Sequence, residues 1–247
     1  MKLSEQEKAA HKAAFRAMSP GKKLEHIGLY YKWPILLTLI ALLVLGSVLR
    51  RELTKKEPVL YLAFANAVIA ADLEADLTDA FLDAAEYNPK KQEIYLYRDL
   101  YLSEDADTMS HEYAYASRMK VVGAIQAQKL DLVLMNREAY DLFSRKGYLA
   151  PLSALPQEDP AVAEELAPLL RENEVILSDN ALEVMLGEAE QEERITQTVP
   201  NALAVSTLPL FQTAGLDGEL FLGVVANSPR LEAVSRYIRY LAGAPDV

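Results

Sequence analysis

The sequence predicts an α/β domain, with a mainly parallel sheet and flanking helices, preceded by one transmembrane helix. The first observation is that strand-like and helix-like segments alternate after residue 58. Strands that are separated by helices imply βαβ crossovers and therefore parallel pairing. The second observation is an apolar run over residues 35–49, which only Thr38, Gly46 and Ser47 interrupt.

These observations divide the chain into four parts. We predict a helical leader at 1–29, a transmembrane helix at 30–50, a charged linker at 51–58 and the α/β domain at 59–247. The leader is rich in helix formers, and Ser4 is placed to cap its first turn. The leader is interpreted as a surface helix on the cytoplasmic side, and docking to a cytoplasmic partner is the alternative.

The apolar segment has the features of a membrane anchor. About 20 residues at roughly 1.5 Å each span a hydrocarbon core of about 30 Å. Tyr30, Tyr31 and Trp33 form an aromatic belt at one end, and Arg50 and Arg51 close the other. A cleaved signal peptide is the alternative, but a polar leader precedes the run and no small-residue cleavage site follows it. We therefore expect the lipid bilayer to be one partner of the chain.

Charge indicates the orientation. Residues 1–57 carry 11 Lys and Arg against five Asp and Glu, whereas residues 58–247 carry 14 against 31. A basic leader beside anionic headgroups favours a cell-membrane protein with a cytoplasmic N-terminus and an extracytoplasmic C-terminal domain. The acidity of that domain also argues against binding to nucleic acid.

Each element of the α/β domain follows from a local pattern. Apolar or alternating segments predict strands, and apolar residues at three- and four-residue spacing predict helices. The stretch 151–189 is interrupted by prolines and predicts short helices with one strand at 175–177. The other predicted elements are strands at 59–65, 93–99, 130–135 and 220–225, and helices at 72–85, 111–128, 137–147 and 229–241.

Catalytic motifs are largely missing from the sequence. Without cysteine there is no thiolate nucleophile and no Cys-based zinc site, and the ten glycines are scattered rather than clustered in a phosphate loop. His111 and Glu112 begin like a zinc-protease helix, but Tyr115 stands where the second ligand belongs. We expect a protein that is not an enzyme and uses no metal and no cofactor.

The segments LDLVLMNREAYDLFSRKGYLAPL and LFLGVVANSPRLEAVSRYIRYL resemble the extracytoplasmic solute-binding proteins of bacterial ABC importers. The leader and anchor look like those of small single-pass membrane proteins of Firmicutes. The resemblance implies one lobe of a periplasmic-binding-protein fold, because the 65 residues from Ser153 to Asp217 are too few for a complete second lobe. The resemblance rests on Asp131, Leu132, Val133, Gly147, Leu149, Pro151 and Leu152, followed by the segment from Gly223 to Leu241.

A ligand site is expected at the carboxyl ends of the strands, where open α/β sheets bind ligands. The predicted function is a membrane-anchored, non-catalytic, solute-binding-like protein. The alternative is a structural or interaction protein that docks on another membrane or envelope component and binds no small molecule. A concave, aromatic-lined pocket would favour the first, and filled strand ends with an exposed apolar patch the second. The candidate ligand-binding residues are Asn66, Tyr97, Asp99, Tyr101, Asn136 and Asn227.

The tyrosines admit two interpretations. Five of them fall between residues 95 and 115. Rings with a hydroxyl group suit the stacking of a sugar or a peptide in a cleft. Alternation along a strand equally suits packing on one face of the sheet.

Overall fold

The computed structural model describes two compact units, Met1–Lys55 and Lys56–Val247. The described residues are 17, 19–21, 32–103, 111–154, 164, 166–180, 184–185, 191, 193–212 and 218–244. Most of the leader, including its predicted helix cap, lies outside them.

The first unit contains helix α1 (Lys32–Thr54), which has 23 residues. Its large apolar side chains are exposed, from 44% for Leu36 to 66% for Leu43. Among the described residues, no helix is both long enough and apolar enough to cross a membrane.

The second unit is built on a six-stranded sheet. Its order is β2-β1-β3-β6-β5-β4. The strands are β1 (Glu57–Ala65), β2 (Gln92–Leu100), β3 (Leu132–Met135), β4 (Leu170–Asp179), β5 (Arg194–Ala204) and β6 (Phe221–Val224). Strand β1 pairs in parallel with β2 and β3, whereas the β3–β6, β6–β5 and β5–β4 pairs are antiparallel.

The α/β class is therefore confirmed, and the mainly parallel sheet is corrected to a mixed one. The parallel half, with β1, β2 and β3, follows the predicted crossovers. In the antiparallel half, β5 and β6 are consecutive in the chain and pair side by side, and the residues between them include helix α6 (Pro209–Gln212). Antiparallel neighbours need no crossover helix.

Helices cover both faces of the sheet. The first face packs α2 (Ala71–Ala75), a π-helical turn (Asp76–Ala80), α3 (Phe81–Ala84) and α7 (Leu231–Leu241) against alternate strand residues such as Leu62. The second face packs α4 (His111–Gln126) and α5 (Arg137–Arg145) against the intervening residues, such as Ala63. Successive side chains of a strand point to opposite faces of the sheet, so alternate residues pack against the same layer of helices. Two 3₁₀ turns, Leu152–Ala154 and Ala167–Leu169, complete the described elements.

Strands β4 and β5 form a hairpin that the sequence only partly predicts. The strand expected at 175–177 is the middle of β4, and β5 was not predicted at all. The first five residues of β5, 194–198, are exposed, and Ile195 is 62% exposed. A strand with solvent on both faces shows no apolar alternation, which is the signal that sequence analysis uses.

Candidate functional site

The carboxyl ends of β1, β2 and β3 meet at one edge of the sheet, as parallel pairing requires. This edge brings together four of the predicted residues, Asn66, Asp99, Tyr101 and Asn136. The backbone N–H of Asn66 donates to the carbonyl of Leu100 at 2.8 Å, and that of Asn136 lies 3.4 Å from the carbonyl of Ala65.

Asn66 uses its side-chain amide to hold the chain that leaves β2. Its Nδ2 donates to the carbonyl of Leu102 at 2.6 Å, and its Oδ1 accepts from the N–H of Leu102 at 2.7 Å. Its φ of 51° lies in the left-handed region, which Asn tolerates better than most residues. Both polar atoms of the amide are therefore engaged in supporting the fold.

Asn136 is the N-cap of α5. Its Oδ1 accepts a hydrogen bond from the N–H of Ala139 at 3.0 Å, and its own backbone is extended. The predicted cap is confirmed, and so is the stop at Gly147, whose φ is 66°. Capping occupies the side-chain oxygen that would otherwise face a ligand.

Asp99 lies where the pairing of β2 with β1 is irregular, and Tyr101 directly follows β2. Asp99 has a φ of 58°, and its carbonyl accepts a hydrogen bond from the hydroxyl of Tyr113 on α4. The ring of Tyr101 stacks on the ring of Tyr113, with centroids 6.5 Å apart. Tyr113 therefore connects α4 to this edge, a role that the sequence did not reveal.

Tyr97 lies on the face of the sheet rather than at its edge. Its ring centroid is 5.0 Å from that of Tyr95 and 6.5 Å from that of Tyr61, and the ammonium of Lys120 lies 5.5 Å from it. Burial raises the pKa of Tyr97 above its ordinary value. The geometry favours the packing interpretation of this tyrosine.

Asn227 is at the opposite edge of the sheet. Because β6 runs antiparallel to β3, its carboxyl end meets the beginning of β3, where the N–H of Val225 donates to the carbonyl of Asp131 at 2.8 Å. Asn227 Nδ2 donates to the carbonyl of Ile125, near the end of α4, at 2.7 Å. The expectation that Asn227 joins the other candidates is therefore wrong.

A buried carboxylate organises this opposite edge. Asp131 is fully buried and accepts hydrogen bonds from the N–H of Tyr61 at 2.8 Å, Ser228 Oγ at 2.6 Å and Arg230 Nε at 2.8 Å. The Arg230 guanidinium also lies 4.6 Å from the centre of the Tyr61 ring. The network ties β1, β3 and the segment before α7 together. Because both of its oxygens accept hydrogen bonds from within the domain, Asp131 has a structural role.

A second buried polar network joins α5 to the β4–β5 hairpin. The hydroxyl of Tyr140 lies 2.8 Å from Asn201 Oδ1, and Asn201 Nδ2 donates to Ser144 Oγ at 2.8 Å. Ser144 in turn donates to the carbonyl of Glu174 at 2.9 Å. Burial raises the pKa of Tyr140 to about 12, so it is neutral at physiological pH. The only sequence signal was the one-turn spacing of Tyr140 and Ser144 on α5.

A cavity of about 180 Å³ lies between α4 and α5. Its walls are mainly apolar, and two cationic side chains, Arg118 and Lys146, border it. The lining residues are Leu102, Arg118, Val121, Val122, Leu142, Phe143, Lys146 and Tyr148. Sequence analysis did not predict a site here, because these residues come from segments with no common motif.

Helix α4 also presents apolar side chains to solvent. It buries only a narrow stripe, Ala114, Ser117, Val121 and Ala124. Tyr115 is 59% exposed and Met119, one turn later, is 53% exposed.

Within the described residues, no group of three or more His, Cys, Asp or Glu side chains could hold a metal ion.

Comparison with known proteins returns no relative. No protein-family model, curated protein sequence or solved structure matches the chain.

Proposed function

We propose that this chain is a membrane-anchored, non-catalytic interaction protein whose α/β domain docks on another membrane or envelope protein through α4. The observation that carries this proposal is the exposed apolar pair Tyr115 and Met119. Residues at i and i+4 lie side by side on a helix, so the two side chains form one patch. Aromatic and Met side chains are enriched at protein interfaces.

The strand ends support docking over solute binding. The amide of Asn66 is bonded to Leu102, and the side-chain oxygen of Asn136 caps α5. A ligand bound by these groups would first have to displace existing hydrogen bonds, so the groups are not free to recognise it. Solute binding at this edge, which the resemblance to ABC-importer proteins implies, stays a prediction.

We also propose that α1 is the anchor. Its 23 residues extend for about 34 Å, enough for the hydrocarbon core. Its polar side chains bond within the helix, since Thr38 Oγ1 donates to the carbonyl of Pro34 at 2.8 Å and Ser47 Oγ to that of Val44 at 2.7 Å. The exposed apolar surface of α1 supports an anchor, although among the residues that the structure describes no helix is both long and apolar enough to cross a membrane. An exposed apolar surface of this size is costly in water, which favours a lipid environment for α1.

The orientation follows from the charge distribution. The basic leader is placed on the cytoplasmic side, and the acidic domain on the extracytoplasmic side. The partner is then a protein that shares this membrane or the adjoining envelope.

Site-specific photo-crosslinking tests the docking proposal. A photoreactive residue replaces Met119 in the full chain in its native membrane, and a matched control replaces Asp79, which is exposed on the opposite face of the sheet. We expect one discrete protein adduct from position 119, none from position 79, and loss of the adduct when Tyr115→Lys is added.

Identical adducts from both positions, or an adduct that Tyr115→Lys leaves unchanged, would contradict the proposal. A melting temperature raised by a small solute in a broad ligand panel, without any adduct, would favour the solute-binding alternative.

A further inference from the structure

We propose that the cavity between α4 and α5 binds a small organic carboxylate with a compact apolar body. This site goes beyond the docking function, because it needs no protein partner. It is also distinct from the predicted strand-end residues, none of which lines the cavity.

The size and lining of the cavity define the apolar part of the ligand. An apolar cavity of about 150 Å³ accommodates benzene, so 180 Å³ has room for one ring or branched alkyl group and a short extension. Val121 and Phe143 are almost fully buried in its wall. The rings of Phe143 and Tyr148 pack edge to face with their centroids 5.8 Å apart, so one wall of the cavity is aromatic. A sugar would find too few polar partners here.

The two cations define the polar part. Arg118 comes from α4 and Lys146 directly follows α5, so the two side chains approach the cavity from separate elements. One Arg118 Nη donates to the carbonyl of Ser103 at 2.9 Å, which holds the guanidinium in place. The other N–H groups of Arg118 are suited to a planar carboxylate.

The surrounding charge strengthens this assignment. No acidic residue lines the cavity, and within the described part of the chain neither Arg118 nor Lys146 forms an ion pair. Residues 111–146 carry six Lys and Arg against four Asp and Glu, although residues 58–247 as a whole are strongly acidic. Two cations beside an apolar wall, which no carboxylate among the described residues neutralises, are complementary to an amphiphilic anion.

The experiment compares three probes of matched chemistry. Phenylacetate supplies a ring and a carboxylate, phenylacetamide supplies the same ring with an uncharged amide, and acetate supplies the carboxylate without the ring. Binding to the full chain in nanodiscs of zwitterionic lipid is titrated by ligand-observed NMR, with empty nanodiscs as the blank. We expect phenylacetate to bind about tenfold more tightly than phenylacetamide, a factor that corresponds to one charge-assisted hydrogen bond. Acetate should show no saturable binding.

Three variants assign the binding to this cavity. Lys146→Gln and Arg118→Gln should each remove most of the preference for the acid over the amide. Val122→Trp should fill the cavity and abolish the binding of both. The matched control is Lys120→Gln, because Lys120 is on the same helix but lies over the Tyr97 ring, and it should leave every affinity unchanged.

Equal affinity for acid and amide, absence of saturable binding by both aromatic probes, or an equal loss in Lys120→Gln would each overturn the proposal. The charge variants substitute exposed side chains, so they decide the question even where Val122→Trp fails to fold. Docking through Tyr115 and Met119 is scored separately by crosslinking, and the failure of one proposal leaves the other standing.

Discussion

Asp131→Asn should destabilise the α/β domain severely. The substitution keeps the shape of the side chain but replaces one carboxylate oxygen with an NH₂ group. Oδ2 of Asp131 accepts from both the N–H of Tyr61 and Nε of Arg230, each at 2.8 Å. The Asn amide can avoid placing its NH₂ against these two donors only by turning that group toward Ser228 Oγ, and in either orientation the guanidinium of Arg230 loses its counter-charge. Breaking a buried ion pair by changing one partner costs about 3–5 kcal/mol, a large part of the roughly 5–15 kcal/mol that stabilises a typical protein.

Urea unfolding of the full chain in detergent micelles, followed by circular dichroism, measures this loss. The matched control is Glu74→Gln, which breaks a pair with Arg98 whose two side chains are 25% and 53% exposed. The hydrogen bond from Arg98 lowers the pKa of Glu74, but exposed pairs contribute less than about 1 kcal/mol.

A double-mutant cycle with Arg230→Met gives the coupling between Asp131 and Arg230. The double variant should lose less stability than the sum of the single variants, because neither charge is then left without a partner. If Asp131→Asn cost no more than Glu74→Gln, the structural role that we assign to the buried network would be refuted.

Three further predictions concern packing, capping and pH. Gly223→Ala should cost about 1–3 kcal/mol by overpacking, since its Cβ would lie 2.7 Å from Leu149 Cδ2; urea titration measures this, and an unchanged midpoint would contradict the close approach. Asn136→Ala should cost about 1 kcal/mol and Asn136→Asp much less, because Asp also caps helices; equal losses by the same assay would argue against capping. Below pH 10 the protonated Tyr140 contributes its full stabilisation, and this stabilisation is lost as the pH rises through about 12. Tyr140→Phe should therefore be less stable than the unchanged chain at pH 8, but its free energy of unfolding should fall less between pH 10 and 12. Parallel pH profiles of the two proteins would refute this.

The sequence predicted the parts of the fold that depend on local patterns. Strands β1 and β3 are apolar runs, Asn136 and Gly147 bound α5, and each signal lies within a few residues of the element that it defines. Orientation in the sheet is not local. Strand β6 was predicted as an element, but its antiparallel pairing with β3 depends on the unpredicted β5.

The same distinction explains the candidate site. The rule for parallel strand ends correctly brought Asn66 and Asn136 to one edge, and it failed for Asn227 because β6 runs the other way. The partner of Asn66, Leu102, lies 36 residues further along the chain, so its structural role could not be inferred from neighbouring residues. The cavity between α4 and α5 depends on the packing of two helices, which periodicity alone does not specify.

We propose that the chain is anchored in the membrane with its α/β domain on the extracytoplasmic side, and labelling of single cysteines tests this topology. The chain has no cysteine, so Ser153→Cys and Ala17→Cys, both at exposed positions, each introduce one unique thiol. A membrane-impermeant maleimide applied to intact cells should label position 153 and should reach position 17 only after lysis. Protection of position 153, or labelling of position 17 in intact cells, would contradict this topology.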